Sequence, residues 1–70
     1  MSTGIQIVVN GESREVPAGI GVPELLSQLG LPADRVAIER NLEILPRSQW
    51  AATFVQMGDR YEIVQLVGGG

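Results

Sequence analysis

Hydrophobic and polar positions alternate in short segments along the chain, which predicts several strands and one helix. Residues 5–9 are mostly β-branched and favour a strand, and a return strand is predicted over residues 13–16, ended by Pro17. Asn10 and Gly11 lie between the two, and this dipeptide favours a type I′ turn because both central positions of that turn have φ > 0. A β-hairpin is therefore predicted at the start of the chain.

The next segment has the spacing of an amphipathic helix. Its apolar stripe occupies positions i, i+3, i+4 and i+7 and consists of Val22, Leu25, Leu26 and Leu29. Pro23 suits the first turn, where its missing N–H is not needed, while Gly30 suits the left-handed residue that ends many helices. A helix of about two turns is unstable alone, so we expect the apolar stripe to pack on the sheet.

The second half of the chain is predicted to contain three further strands. Residues 36–40 and 43–45 favour a hairpin around Asn41-Leu42, and residues 59–67 favour a longer, apolar strand. Such a strand is expected at the sheet centre, parallel to the first. The order of elements predicts an α+β fold of the β-grasp type, in which a mixed sheet curls around one main helix.

The segment before the last strand is predicted to form a single turn or a 3₁₀ helix. Ser48 is a candidate capping residue. Trp50 is the only tryptophan of the chain, and we expect it to pack against the core. A binding role for this aromatic side chain is the alternative.

Composition restricts the chemistry of this chain. It has 70 residues, a net charge of −3, and no cysteine, histidine or lysine. Disulfides, thiolate nucleophiles, the usual zinc ligands and the commonest general base are therefore excluded. An acidic chain without a basic cluster argues against nucleic acid, and no apolar run approaches the roughly 20 residues of a membrane helix. Met1 to Gly4 lack a targeting pattern, so we expect a cytoplasmic protein. We also expect no cofactor or metal of its own.

Carboxylates are the remaining catalytic candidates. Glu39 could approach Glu43, and Glu12 could approach Glu15. Their alternation with apolar residues is typical of a solvated strand face, and no His, Lys or Cys is present to complete an acid–base pair. We therefore expect no catalytic residue and a protein that is not an enzyme.

Three glycines follow the last strand. Gly68, Gly69 and Gly70 have no side chain to fix their conformation, and they would carry a terminal carboxylate roughly 10 Å beyond the last packed residue. The chain is thus divided into a β-grasp domain, residues 1–67, and a flexible tail, residues 68–70. A frayed terminus is the simpler interpretation, and a tail that enters another protein's pocket is the functional one.

Several segments of the chain share the pattern of one known family. They are residues 7–12, 22–26, 36–41, 45–50 and 58–64 together with Gly69-Gly70. On these segments, which extend over essentially the whole chain, it resembles the ThiS family of sulfur-carrier proteins of thiamine biosynthesis. Leu42 departs from the pattern, since a glycine would make that turn easier.

The resemblance implies a carrier that works through its tail. It implies that the Gly70 carboxylate is adenylated by an E1-like enzyme that uses ATP, and is converted to a thiocarboxylate with sulfur from a donor protein. The sulfur is then delivered to thiazole synthase. The residues agree with this chemistry, because a terminal carboxyl with a pKa near 3.5 is ionised and able to attack an activated phosphate.

A partner surface is expected beside the tail. Alternation along the last strand places Tyr61 and Ile63 inward, and leaves Val64 and Leu66 on the opposite face. An apolar pair beside a functional tail is typical of a docking surface, while cover by the chain's own loops is the alternative.

Three other functions remain open on the sequence alone. The small subunit of molybdopterin synthase resembles this chain in fold and tail, although residues 46–50 favour the thiamine pathway. A ubiquitin-like protein modifier would form isopeptide products on other proteins. A plain β-grasp interaction domain would tolerate the loss of Gly70.

Overall fold

The computed structural model describes residues 4–67, and its elements follow the predicted order. The tail, residues 68–70, lies outside the described residues. The strands and the helix are β1 (Gly4–Val9), β2 (Glu12–Pro17), α1 (Val22–Leu29), β3 (Val36–Arg40), β4 (Glu43–Leu45) and β5 (Arg60–Gln65). Two 3₁₀ segments, Ala33–Arg35 and Arg47–Ala52, precede β3 and follow β4.

The strands form one mixed sheet with the order β2-β1-β5-β3-β4. Strand β5 lies at its centre, parallel to β1 and antiparallel to β3. The remaining pairs, β1 with β2 and β3 with β4, are antiparallel hairpins. The predicted β-grasp fold and the central, parallel position of the last strand are therefore confirmed.

Both hairpins turn through residues with positive φ. Asn10 and Gly11 have φ of 51° and 83°, which confirms the predicted type I′ geometry. Asn41 and Leu42 have φ of 51° and 72°, so a leucine occupies a left-handed position that favours glycine. Pro17 is part of β2 rather than beyond it, because β2 is an edge strand where the missing N–H breaks no ladder.

Helix α1 begins and ends with the expected signals. The side chain of Glu24 accepts a hydrogen bond from the Gly21 N–H at 3.1 Å, at the positive end of the helix. At the other end Gly30 has a φ of 71°, and the Leu31 N–H donates to the Leu26 carbonyl at 3.0 Å, which closes a Schellman motif. No helix of the described part is long and apolar enough to cross a membrane.

The core lies between α1 and the inner face of the sheet. It consists of Ile7, Val9, Val16, Val22, Leu25, Leu26, Val36, Ile38, Trp50, Val55, Tyr61 and Ile63, with Ile5, Ile20, Leu29, Leu31 and Leu45 packed at its margin. The helical stripe and the inward faces of the strands are thus the predicted ones. A short helix gains its stability from this packing rather than from its own hydrogen bonds.

The 3₁₀ segment after β4 confirms the position of Trp50 but not that of the cap. Trp50 is buried, its Nε1–H donates to the Leu45 carbonyl at 3.0 Å, and the Arg47 guanidinium lies 4.5 Å from its ring centre. The segment begins after Pro46 without a side-chain cap, so the capping role predicted for Ser48 is wrong. Ser48 already lies inside the segment, two residues after the N-cap position, which Pro46 occupies.

Candidate functional site

The root of the tail consists of Gln65, Leu66 and Val67, and backbone hydrogen bonds hold its first two residues. Gln65, the last residue of β5, pairs with Val36. One residue later the Leu66 N–H donates to the Arg35 carbonyl at 2.7 Å, and Val67 is then 97% exposed. The chain is therefore held up to Leu66 and leaves the domain at Val67, next to the glycines at 68–70.

The opposite end of β5 is held by a buried carboxylate. Asp59 is only 5% exposed and accepts hydrogen bonds from Arg40 Nε at 3.0 Å, Asn41 Nδ2 at 3.1 Å, the Gln56 N–H at 2.9 Å and the Tyr61 hydroxyl at 2.9 Å. From the sequence, Asp59 was predicted only as the first residue of the last strand. The network ties the start of β5 to the β3–β4 hairpin.

Protonation in this network follows from burial and hydrogen bonding. Burial by itself would raise the pKa of Asp59, but the four donors favour the carboxylate and lower its pKa below the usual range. Burial, with the hydrogen bond to Asp59, raises the pKa of Tyr61 to about 12. Asp59 is thus charged and Tyr61 neutral at neutral pH, as expected of a structural network rather than an acid–base pair.

Asparagines in the two hairpin turns also hold the backbone of β5. Asn10 accepts from the Ile63 N–H at 2.8 Å and donates to the Ile63 carbonyl at 3.1 Å. Asn41 accepts from the Arg60 N–H at 2.9 Å. Since each hairpin turn holds the backbone of β5 through a side-chain amide, the tail extends from a strand that is fixed on both sides.

An apolar surface covers the outer face of the sheet beside this root. Val64 and Leu66 are 57% and 51% exposed, as predicted, and the described loops do not cover them. Ile44 on the edge strand β4 is 79% exposed on the same face and was missed in the sequence, although alternation along β4 could have indicated it. A depression of about 180 Å³ lies on this face of the sheet, and its lining includes Ala37, Ile44 and Val64.

The carboxylate pairs considered in the sequence are not brought together. Pairing of Arg40 with Glu43 puts Glu43 on the face opposite to Glu39. Glu12 and Glu15 are three positions apart on β2 and point to opposite faces for the same reason. Residues 4–67 contain no group of three side chains that could hold a metal ion.

A different carboxylate pair is formed instead. Glu39 of β3 lies directly opposite Glu62 of β5, and both side chains border the depression on the outer face. Their positions are 23 residues apart in sequence, so only the register of β3 on β5 reveals the pair.

Comparison with known proteins identifies the family. The family model described as "ThiS family" matches residues 7–70. The chain belongs to the ThiS family. The sulfur carrier protein ThiS of Escherichia coli (strain K12) is 39% identical over 66 residues, which are 94% of this chain and 100% of that protein. The crystal structure of the thiamine biosynthesis protein ThiS from Geobacter metallireducens superimposes with a TM-score of 0.81 at 38% identity, over 94% of this chain and 100% of that one.

ThiS-like segments also occur within larger proteins. Thiazole synthase of Paramagnetospirillum magneticum is 47% identical over 66 residues, and that of Magnetococcus marinus is 36% identical over 66 residues. This chain spans 20% of the length of each of these two proteins.

Proposed function

We propose that this protein is a sulfur carrier of thiamine biosynthesis, and that the carboxylate of Gly70 carries the sulfur. The observation that carries the proposal is the root of the tail: a central strand, fixed on both sides, releases the chain at the exposed Val67. Membership of the ThiS family, whose pattern extends to Gly70, supports it. The chain then acts as a co-substrate and supplies no catalytic group.

The chemistry takes place on partner enzymes. A carboxylate oxygen of Gly70 attacks the α-phosphate of ATP in an E1-like adenylating enzyme, pyrophosphate leaves, and an acyl adenylate forms. A sulfur nucleophile at the oxidation level of sulfide, supplied by a donor protein, then attacks the carbonyl carbon, AMP leaves, and the product is a thiocarboxylate. Gly68 and Gly69 have no Cβ, so an extended tail can enter a narrow channel and leaves its carbonyl open to attack.

Thiazole synthase is the proposed acceptor of the sulfur. Two thiazole synthases include a segment like this chain within their own sequence, which supports a functional connection between the two activities. We assign Val64 and Leu66 to the docking surface, because they are exposed on the outer face beside the root of the tail.

The length of the tail provides the test. Deletion of Gly70 shortens the reach by about 3.5 Å and misplaces the carboxylate, while the described core is untouched. Addition of one alanine makes the carboxylate overshoot and introduces a Cβ into the channel. We expect both variants to fold as the parent does and to lose ATP–pyrophosphate exchange with the purified adenylating enzyme.

Mass spectrometry of the intact protein completes the test. After incubation with the adenylating enzyme, ATP and a sulfur source, the parent should gain the mass that replaces one oxygen by one sulfur. Comparable exchange by the parent and both variants would contradict the carrier mechanism. Isopeptide-linked products on other proteins would indicate a protein modifier instead.

A further inference from the structure

Two carboxylates that have no ion-pair partner among residues 4–67 face each other on the outer side of the sheet. Glu39 and Glu62 are directly opposite in the antiparallel pairing of β3 with β5, which puts their Cβ atoms about 5 Å apart. Neither carboxylate has an ion pair or a side-chain hydrogen bond within residues 4–67. Like charges at directly opposed positions destabilise a sheet, so this arrangement weakens the isolated domain.

The surroundings of this pair are apolar. Ala37, Ile44 and Val64 line the same depression of about 180 Å³, and Ile44 and Val64 are largely exposed. Glu39 is itself half-buried between them. A partner that covers the apolar side chains must also take both carboxylates out of water, which is costly unless it brings a cation to them.

Building on the proposed function, we propose that Glu39 and Glu62 together bind an arginine or lysine side chain of thiazole synthase. Apolar neighbours of that cation would pack on Ile44 and Val64. Both proposed partner enzymes accept the tail beside this surface, and the occurrence of a segment like this chain within two thiazole synthases favours thiazole synthase as the protein that brings the cation. A guanidinium can bind two carboxylates at once through its separate N–H groups, which fits two acids on adjacent strands.

A second copy of this chain does not fit the same surface. A two-fold contact would place the pair from each copy in one interface, and four carboxylates close together repel one another. A positively charged partner relieves the repulsion between Glu39 and Glu62. The site therefore provides selectivity for a partner of basic chemistry as well as affinity.

Neutral variants separate a binding role from a structural one. Glu39→Gln with Glu62→Gln keeps side-chain shape and removes the repulsion, so the denaturation midpoint should stay equal or rise. Binding to purified thiazole synthase of the same organism, measured by titration calorimetry, should weaken about tenfold or more, because the partner's cation is left buried without a counter-charge. Glu12→Gln on β2 is the matched control with the same chemical change, and its Kd should stay within about twofold.

Several outcomes would overturn the proposal. The first is an unchanged Kd for thiazole synthase in the double variant, and the second is a loss of stability that parallels the loss of binding. The third is weaker binding of the double variant to the adenylating enzyme but not to thiazole synthase. The fourth is self-association of the parent that the double variant abolishes. Thiocarboxylate formation by the parent is measured in parallel. If it forms while the double variant binds thiazole synthase normally, the cation site is wrong and the carrier function stands; if it does not form, both fail.

Discussion

Removal of the Asp59 carboxylate should destabilise the domain strongly. Asp59→Ala leaves the buried Tyr61 hydroxyl and the Arg40 guanidinium without their acceptor. Breaking one side of a buried charged pair costs about 3 to 5 kcal/mol. A chain of 70 residues has a total stability of roughly 4 to 10 kcal/mol, so this loss is a large share of it. Asp59→Asn, which keeps the shape and one acceptor, should be intermediate.

The same network predicts the response to pH. Because the pKa of Asp59 is lower in the folded than in the unfolded state, its contribution is complete above the unfolded value of about 3.9 and is lost as the pH falls through the folded pKa. The stability difference between the parent and Asp59→Asn should therefore shrink in acid. The pKa of Tyr61 is raised to about 12, so its contribution is present below about pH 10 and is lost as the pH rises through 12.

Urea denaturation followed by the fluorescence of Trp50 provides the assay, since this only tryptophan is buried in the core. Curves are recorded from pH 7 down to about pH 2 and compared with those of Asp34→Ala, which removes an exposed carboxylate outside the network. The control should stay within about 0.5 kcal/mol of the parent at pH 7. The reasoning is refuted if Asp59→Ala also stays within 1 kcal/mol, or if the acid profiles of the parent and Asp59→Asn run parallel.

Three further substitutions test the core, the second turn and the docking surface. Leu26→Ala should cost about 2 to 5 kcal/mol in urea denaturation because the side chain is 1% exposed, whereas Ser27→Ala on the exposed side of α1 should change little; equal midpoints would remove α1 from the core. Leu42→Gly should stabilise by up to about 1 kcal/mol, since the left-handed backbone costs leucine more than the extra unfolded-state freedom costs glycine. Leu42→Ala keeps the strained backbone, so equal stability of the Leu42→Gly and Leu42→Ala variants would argue against strain at this turn. Val64→Asp should weaken complex formation with the adenylating enzyme at nearly unchanged melting temperature, whereas Ser13→Asp, on the same face but on the far edge strand β2, should not; a parallel loss of stability would make Val64 structural.

The sequence by itself determined the elements of the fold. Period-two alternation, the helical stripe and the Asn10-Gly11 turn depend on residues close together in the chain, and each has the predicted conformation. The outward direction of Val64 and Leu66 follows from the same short-range rule. The family pattern also pointed to the glycine tail, whose role remains a proposal.

Only the tertiary structure decided which polar groups meet. Glu39 was considered with Glu43, yet the pairing of Arg40 with Glu43 puts these two carboxylates on opposite faces. The separate register of β3 on β5 brings Glu62 to Glu39 instead. The acceptor role of Asp59 likewise depends on donors up to 19 residues away in sequence, Arg40 at the end of β3 and Asn41 in the turn that follows. Such contacts are set by packing of whole strands against one another, and local periodicity carries no information about that register.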